Sequence, residues 1–354
     1  MPNRVKSRAA FLALALVFLA GCGSSSFTTA PTPAPGHTAA LSDSVGLLEP
    51  LVGRQVLPPD NWWNLDVSAA PVDANSAAYV DLISGRTPQN PTAVRHAHPD
   101  FGPPPYGIPY VVVGADQALV PVAFSPYGSE SDAGAPGRPA GYPIPDVART
   151  SANYIEGGVA GGGTSGDRHL LVIDRARGLL FETWSTHWNA TAARWEAGSG
   201  AVFDLASNAR RRDGWTSADA AGLAMFPGLV RYDEVSASGP IHHAFRVTLR
   251  TTNGAVWPAS HTAGSTAGAL PMGARLRLKP GKNLSAFAPD VQRIFQAMKT
   301  YGLIVADNGS DLYVSGTMDA RWDNGVLNPA FSSLTADDFE VVQLGWGQSM
   351  AGVR

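Results

Sequence analysis

Short apolar runs, separated by residues that favour turns, recur along most of this chain. Residues 169–173 and 179–184 are two such runs, and the turn between them ends in Gly178, a pattern that predicts a β-hairpin. A glycine-rich stretch, 157–166, leads into the first run and carries Asp167 to its start. Further runs predict strands at 110–113, 119–124, 200–205, 229–235, 243–249, 274–279, 303–307 and 312–316.

One stretch near the C-terminus follows a helical period instead. Pro289 stands in its first turn, and Gly302 supplies a stop signal after it. A shorter helix is expected within residues 71–83. Many short strands with one clear helix in the C-terminal half predict an all-β, mostly antiparallel fold, a β-sandwich or jelly-roll-like single domain. The apolar face of that helix consists of Val291, Ile294, Phe295 and Met298.

Composition narrows the possible classes of function. Charged residues make up only 16% of the chain and the net charge is -3, so there is no electrostatic basis for binding nucleic acid. The 38 glycines and 28 prolines are spread along the chain and therefore indicate many turns.

The first residues have the pattern of an export signal. Basic residues precede an apolar run, 11–20, that is too short to span a bilayer. The run ends in Leu19-Ala20-Gly21-Cys22, which resembles the lipobox of bacterial lipoprotein signal peptides. The resemblance implies cleavage before Cys22 and lipid on that residue. It therefore implies a protein of the cell envelope, anchored in the membrane at the periplasmic face or the outer surface.

Three segments are predicted on this basis. Residues 1–21 are the lipoprotein signal peptide, and residues 22–41 are a flexible tether of mostly small and polar residues. Residues 42–354 form a single β-rich domain. Because Cys22 is the only cysteine, no disulfide is predicted.

Ten short motifs are distributed through the predicted domain. They are NPTAVRHAHPDFG, YGIPYVVV, SESD, YPIP, IEGG, GDRH, AGSGAVFDL, GWTSADAAGL, PGLVRYDE and YGLIVADNGS. Together they resemble a family of secreted bacterial proteins that has no assigned activity. The resemblance covers nearly the whole chain after the tether and implies a single domain. It brings no catalytic residue with it, so function has to be inferred from the chemistry of the side chains.

Several well-defined types of site are excluded because their sequence motifs are absent. The chain contains no G-x-S-x-G nucleophile elbow, no H-E-x-x-H metal site and no P-loop. The acidic turns at 307–311 and 319–325 lack the residue order of a calcium loop. We therefore predict no metal and no cofactor.

Paired carboxylates are the remaining catalytic candidates. Glycoside hydrolysis needs two carboxyl groups flanking one bond, about 5 Å apart for retention and about 6.5–9.5 Å for inversion. Glu182 interrupts an apolar strand, where a carboxylate is costly unless it is paired or used. The hairpin register decides whether His169 shares its face, and a slip of one residue reverses the answer. The candidate catalytic residues are Glu182, Asp167, His169, Glu156 and Asp132.

Aromatic side chains around the hairpin indicate the class of substrate. Sugar rings present apolar C–H faces that stack on indole rings, whose N–H remains available for a hydrogen bond. Some of the tryptophans are expected to fill the core instead. The candidate substrate-binding residues are Trp184, Trp188, Trp215, His261 and Arg168.

These features predict an extracytoplasmic enzyme that acts on a polysaccharide or oligosaccharide, in the first place a glycoside hydrolase. A polysaccharide lyase with His169 or His261 as its base is the nearest alternative. A non-catalytic surface glycan-binding lipoprotein fits the same anchor, tether and aromatic residues. An enzyme has to bring two ionisable groups together in one cleft, whereas a binder needs only an aromatic platform with a polar rim.

Overall fold

The computed structural model describes residues 45–51, 54–134 and 136–349. The predicted signal peptide, the tether and Cys22 lie outside these residues. Residues Leu41–Arg354 form one compact unit. Within the described part of that unit, no helix has the length and apolar character that crossing a bilayer requires.

The regular secondary structure of the described residues consists mainly of short strands, with a few helices. The strands are, in chain order, β1 (Gly46–Leu47), β2 (His98–Asp100), β3 (Tyr110–Val113), β4 (Val122–Phe124), β5 (Leu170–Asp174), β6 (Leu179–Trp184), β7 (His187–Asn189), β8 (Arg194–Ala197), β9 (Ser199–Asp204), β10 (Phe245–Leu249), β11 (Arg275–Leu278), β12 (Leu303–Asn308), β13 (Tyr313–Ser315) and β14 (Phe339–Val341). The α-helices are α1 (Ser76–Ser84), α2 (Val147–Thr150), α3 (Tyr232–Val235), α4 (Pro289–Thr300) and α5 (Asn324–Ser332).

The strands form three sheets. The first has the order β1-β3-β5-β6-β9, the second β14-β11-β12-β10-β13-β2, and the smallest β4-β8-β7. This arrangement confirms the predicted strand-rich single domain with sandwich-like layers. The expected antiparallel character holds only in part, because each sheet also contains parallel neighbours. These are β3 with β5, β10 with β12, β13 with β2, and β4 with β8.

The parallel pair of β10 and β12 arises because β12 and β13 do not form a hairpin. The dipeptide Asn308-Gly309 between them is typical of a tight hairpin turn, which would make them neighbours. Instead β10 lies between them, parallel to β12 and antiparallel to β13. The connection therefore crosses the end of β10, and Asp307 comes to lie beside Thr248.

Strands β5 and β6 form the predicted hairpin. Leu171 lies opposite Glu182 in its register. Because side chains alternate between the two faces of a strand, His169 extends from the same face as Leu171 and Glu182. This face of the sheet packs on a connecting segment, residues 218–230.

The segment 218–230 separates the two large sheets. Its Ala224 and Phe226 side chains pack with the first sheet. Its Leu223 and Val230 side chains pack with the second sheet. The segment therefore belongs to both cores.

Helix α4 confirms the predicted C-terminal-half helix and buries the expected apolar face. Residues 229–235, predicted as a strand, instead end in the short helix α3. The reason is local, because Glu234 accepts hydrogen bonds from the backbone N–H of Arg231 at 3.1 Å and from its guanidinium at 2.6 Å. Helix α5 was not predicted, because Gly325 and Pro329 obscure its period.

Candidate active site

An acidic cleft lies between the first and second sheets. It consists of two adjoining cavities of 160 and 210 Å³, which share Asp167, Asp307 and Asn308 as a common border. Together they reach the lower end of the roughly 300–1,000 Å³ range of small-molecule sites. The smaller cavity is also lined by Asp100, Glu156, His169, Arg246 and Tyr313, and the larger by Tyr127, Trp184, Ser199, Thr216, Ser217, Asp219 and His261.

Strand β10 forms the floor of the cleft. Its Phe245, Val247 and Leu249 side chains belong to the core, whereas Arg246 and Thr248 face the smaller cavity. The sequence alternation predicts a half-buried strand, yet all five residues are buried. The polar face of β10 is covered by the opposite wall of the cleft.

Arg246 is a buried cation at the centre of the cleft. Its Nε and Nη2 donate to the two carboxylate oxygens of Asp219, at 3.1 and 3.0 Å. Nη2 also lies 3.0 Å from Asp307 Oδ2, and Nη1 donates to Ser315 Oγ at 2.6 Å. Burial alone would lower the pKa of Arg246, but Asp219 and Asp307 raise it, so the guanidinium stays charged. Burial raises the pKa of Asp219 to about 6 against the effect of Arg246, which still leaves an ion pair at neutral pH.

His169 and Glu156 form a second ion pair in the smaller cavity. His169 Nδ1 lies 2.7 Å from Glu156 Oε2, and Nε2 lies 3.1 Å from the carbonyl oxygen of Ala218. Because both partners accept, both ring nitrogens donate and the imidazole is cationic. Burial would lower the pKa of His169, but Glu156 raises it to about 9. Burial would likewise raise the pKa of Glu156, but the charge and hydrogen bonds of His169 lower it.

The His169–Glu156 pair predicts a pH-dependent part of the stability. The imidazolium contribution is complete below the pKa of an unfolded histidine, about 6.5, and is lost as the pH rises through about 9. We expect the free energy of unfolding to fall by roughly 3 kcal/mol across this window because of His169. Urea titrations at pH 6 and pH 9.5 should show that His169→Gln removes this fall, whereas His187→Gln, which alters a partly exposed imidazole, should keep it. An unchanged pH slope in His169→Gln would contradict the ion pair.

Glu182 lies behind the wall of the cleft. Its side chain is fully buried, and its two oxygens accept the backbone N–H groups of Met225 and Phe226, each at 2.8 Å. Burial raises the pKa of Glu182 to about 7, although both hydrogen bonds lower it. Glu182 is not among the residues that line either cavity. Its hydrogen bonds instead hold segment 218–230 against β6.

The raised pKa of Glu182 predicts that Glu182→Gln stabilises the protein at alkaline pH. The native carboxyl keeps its proton up to about pH 7, whereas the unfolded one loses it near 4.5, so wild-type stability falls between these values and stays lower above them. At pH 8.5 we expect a gain of up to roughly 3 kcal/mol in the variant, and little change at pH 4. Urea unfolding at the two pH values measures this. Glu182→Ala should be destabilised at both, because it leaves two buried N–H groups without an acceptor.

Asp100 and Asp167 have the least restrained carboxyl groups of the smaller cavity. Within the described residues, the Asp100 carboxyl makes no hydrogen bond and no ion pair. Asp100 is exposed to solvent, but the surrounding cavity walls partly desolvate its carboxyl group and so raise its pKa; Arg246 opposes this shift, and the Glu156 carboxylate adds to it. Asp167 is exposed and accepts one hydrogen bond, from Trp184 Nε1 at 3.2 Å. The cavity thus holds two exposed carboxyl groups, and the surroundings raise the pKa of Asp100.

Two of the predicted substrate-binding residues line the larger cavity. Trp184 does so beside Tyr127, with the ring centroids 6.1 Å apart. The Nδ1 of His261 lies 2.8 Å from the carbonyl oxygen of Ala220 and therefore donates a proton to it. This leaves Nε2 of His261 as an acceptor at the cavity wall.

The three other predicted substrate-binding residues are not among those that line the larger cavity. Trp188 packs edge-on against Trp195, at a centroid distance of 5.6 Å, beside a core cluster. The Trp215 ring lies 5.6 Å from the Arg211 guanidinium, while its neighbour Thr216 lines the larger cavity. Arg168 donates to the carbonyl oxygen of Gly166 at 2.9 Å and is not among the lining residues.

The predicted catalytic residue Asp132 lies apart from the two cavities. Its Oδ2 is 2.5 Å from Nη1 of Arg211 and accepts the backbone N–H of Val202 at 2.9 Å. Both side chains of the ion pair are almost fully buried. Asp132 therefore stabilises the packing of its own segment against β9.

The sequence patterns did not single out Asp100 or Asp219, and they indicated only an acidic turn at Asp307. The signal that could have found them is Arg246, a cation within the apolar run FRVTL. A buried arginine favours partner carboxylates on other elements, because an unpaired buried charge is very costly. Asp100, Glu156, Asp167, His169, Asp219 and Asp307 stand in five of the motifs given above.

The part of the chain that the structure describes contains no group of three or more His, Cys, Asp or Glu side chains that could hold a metal ion. Comparison with known proteins gives no family model, no curated protein and no solved structure that matches this chain.

Proposed function

We propose that this protein is a glycoside hydrolase, with Asp100 as the general acid and Asp167 as the second carboxylate. The observation that carries the proposal is that these two exposed carboxyl groups line one cavity and that neither is held in an ion pair within the described residues. A glycosidase needs one carboxyl group that holds a proton and one that is ionised, on either side of the bond. The raised pKa of Asp100 suits the first role. Asp167 lines the same cavity and takes the second role, and we prefer this pair to Glu182 because Glu182 does not reach the cleft.

The charge of the cleft favours a neutral glycan. Carboxylates outnumber cations along its walls, so an acidic sugar would be repelled. Sugar hydroxyl groups, by contrast, donate readily to carboxylates. Trp184 and Tyr127 offer a surface on which a ring can stack. Apart from Asp100, which holds a proton in this proposal, the carboxylates are those of Glu156, Asp167, Asp219 and Asp307, against the cations of Arg246 and His169.

A polysaccharide lyase is the second candidate, and the free Nε2 of His261 is the observation that favours it. His169 does not suit the role of base, because both of its ring nitrogens donate. The acidic walls argue against the uronate substrate that such a lyase would take.

The test is a panel of neutral and acidic polysaccharides incubated with the full chain. We expect new reducing ends from at least one neutral polysaccharide, without absorbance from unsaturated sugars. Unsaturated products would favour the lyase. Binding without any cleavage would favour the non-catalytic surface glycan-binding lipoprotein, and would refute the hydrolase.

We also propose that Cys22 anchors the protein in the membrane, which would place the cleft outside the cytoplasm, next to envelope or environmental glycans. The basis is the lipobox resemblance of residues 19–22. Cell fractionation of Cys22→Ser should find the protein in the soluble fraction. A variant that remains membrane-bound after cleavage of the signal peptide would refute this anchor.

A further inference from the structure

A third cavity continues the cleft beyond Asp100. It has a volume of 620 Å³ and shares two lining residues, Asp100 and Tyr313, with the smaller cavity of the cleft. The smaller cavity in turn shares Asp167 and Asp307 with the larger one. The shared residues therefore place the three cavities in a row, with the Asp100–Asp167 pair in the middle one.

One wall of the third cavity is aromatic. Tyr313 stacks on His98, with ring centroids 4.7 Å apart and an angle of 27° between the planes. Tyr106 lines the same cavity and is 63% exposed, which is unusual for so large a ring. A flat, accessible phenol beside a cavity suits the apolar face of a sugar ring.

The other wall is polar but uncharged. Asn324, Asn328 and Ser332 of α5 line the cavity and follow each other at intervals of four residues, so they lie along one face of that helix. Amide and hydroxyl groups both donate and accept, as sugar hydroxyls do. Among the described residues, Asp100, at the border with the cleft, is the one acidic residue that lines this cavity.

We infer that the third cavity is a distal subsite for neutral sugar rings, and that the whole row holds a linear glycan which is cut within its chain. The cutting rests on the function proposed above, whereas binding in the third cavity does not. A chain whose scissile bond lies at Asp100 and Asp167 would continue past Tyr313 onto Tyr106. The aromatic pair Tyr127 and Trp184 would support the chain at the opposite end.

The experiment compares glycans of increasing length. The probes are neutral linear oligosaccharides of glucose, xylose and mannose, each from the disaccharide to the octasaccharide. Calorimetry on the full chain carrying Asp167→Asn, which prevents turnover, gives the affinities. In at least one series the affinity should rise with length, and Tyr106→Ala should weaken the octasaccharide about tenfold while leaving the shortest bound oligosaccharide unchanged. Tyr106→Phe, which keeps the ring, should retain the affinity, and Asn328→Ala should weaken the octasaccharide in the same selective way.

The outcomes separate the two proposals. Affinity that rises with length and depends on Tyr106, without cleavage by the wild type, would uphold the subsite and refute the hydrolase. Cleavage that is indifferent to Tyr106→Ala, with affinity independent of length, would uphold the hydrolase and overturn the subsite. No binding in any series would overturn the subsite as well. Internal cutting requires that long fragments appear before short ones, and release of only mono- or disaccharides from the start would contradict it.

Discussion

Replacing Asp100 with Asn is expected to slow glycan hydrolysis by about 10²–10⁴-fold, the usual contribution of a general acid. The amide keeps the size of the carboxyl group but cannot supply a proton to the leaving oxygen. Because the carboxyl group of Asp100 makes no hydrogen bond or ion pair within the described residues, the substitution should leave the fold intact. Affinity for oligosaccharide should therefore change little. Initial rates of reducing-end release and calorimetric affinities measure the two effects separately.

Asp146→Asn is the matched control for Asp100→Asn, because that side chain is 92% exposed and lines none of the three cavities. It should hydrolyse glycan at the wild-type rate. Hydrolysis requires a protonated Asp100 and should therefore decline as the pH rises through its pKa. Because that pKa is raised, the decline should lie above about 3.9, the pKa of an ordinary aspartate. An Asp100→Asn protein with wild-type turnover would remove Asp100 from the mechanism.

Removing Asp219 is expected to have the largest effect on stability. Asp219→Ala leaves the buried Arg246 without its two-point partner, and breaking a buried ion pair from one side typically costs about 3–5 kcal/mol. The double variant Asp219→Leu with Arg246→Met should regain much of this loss, because it removes both charges. Urea unfolding of the full chain at pH 7 measures both.

The control for Asp219 is an arginine–aspartate pair that is joined by one contact and lies near the surface. Arg210 and Asp213 lie 2.8 Å apart, but the Asp213 side chain is 82% exposed. Asp213→Ala should therefore cost at most about 1 kcal/mol. Equal losses in Asp219→Ala and Asp213→Ala would contradict the view that Arg246 depends on Asp219.

Local patterns were sufficient to predict several elements of the fold. The hairpin β5–β6 and helix α4 each depend on contacts between residues close in sequence, so periodicity and turn residues identify them. The insertion of β10 between β12 and β13 depends on a pairing of distant segments. A turn dipeptide such as Asn308-Gly309 carries no information about such an insertion, and the mixed sheets were missed for that reason.

The hairpin register shows a second limit of prediction from the sequence. Placing Leu171 opposite Glu182 puts His169 and Glu182 on one face, but it also directs Glu182 at backbone N–H groups more than forty residues later. A carboxylate within an apolar strand was a correct sign of a buried, bonded group. The sequence does not tell whether its partner is a ligand, an arginine or the backbone.

The candidate site was predicted only in part, because some of its residues are close in sequence and others come from distant segments. The residues that the sequence placed near the hairpin, Glu156, Asp167 and His169, do line one cavity. Asp100, Asp219 and Arg246 reach the same place from β2, the 218–230 segment and β10, which are far apart in the chain. Their convergence follows from the sheet order, which the sequence pattern did not supply.

The most direct test of the central claim is a crystal structure of the Asp100→Asn protein bound to an oligosaccharide from the polysaccharide that the wild type cleaves. We expect a glycosidic oxygen within about 3 Å of the residue 100 side chain, with the adjoining ring facing Asp167. We also expect further rings against Tyr127 and Trp184 on one side and Tyr106 on the other. An oligosaccharide bound outside the row of three cavities, or one whose glycosidic bonds all lie out of reach of residue 100, would contradict that claim.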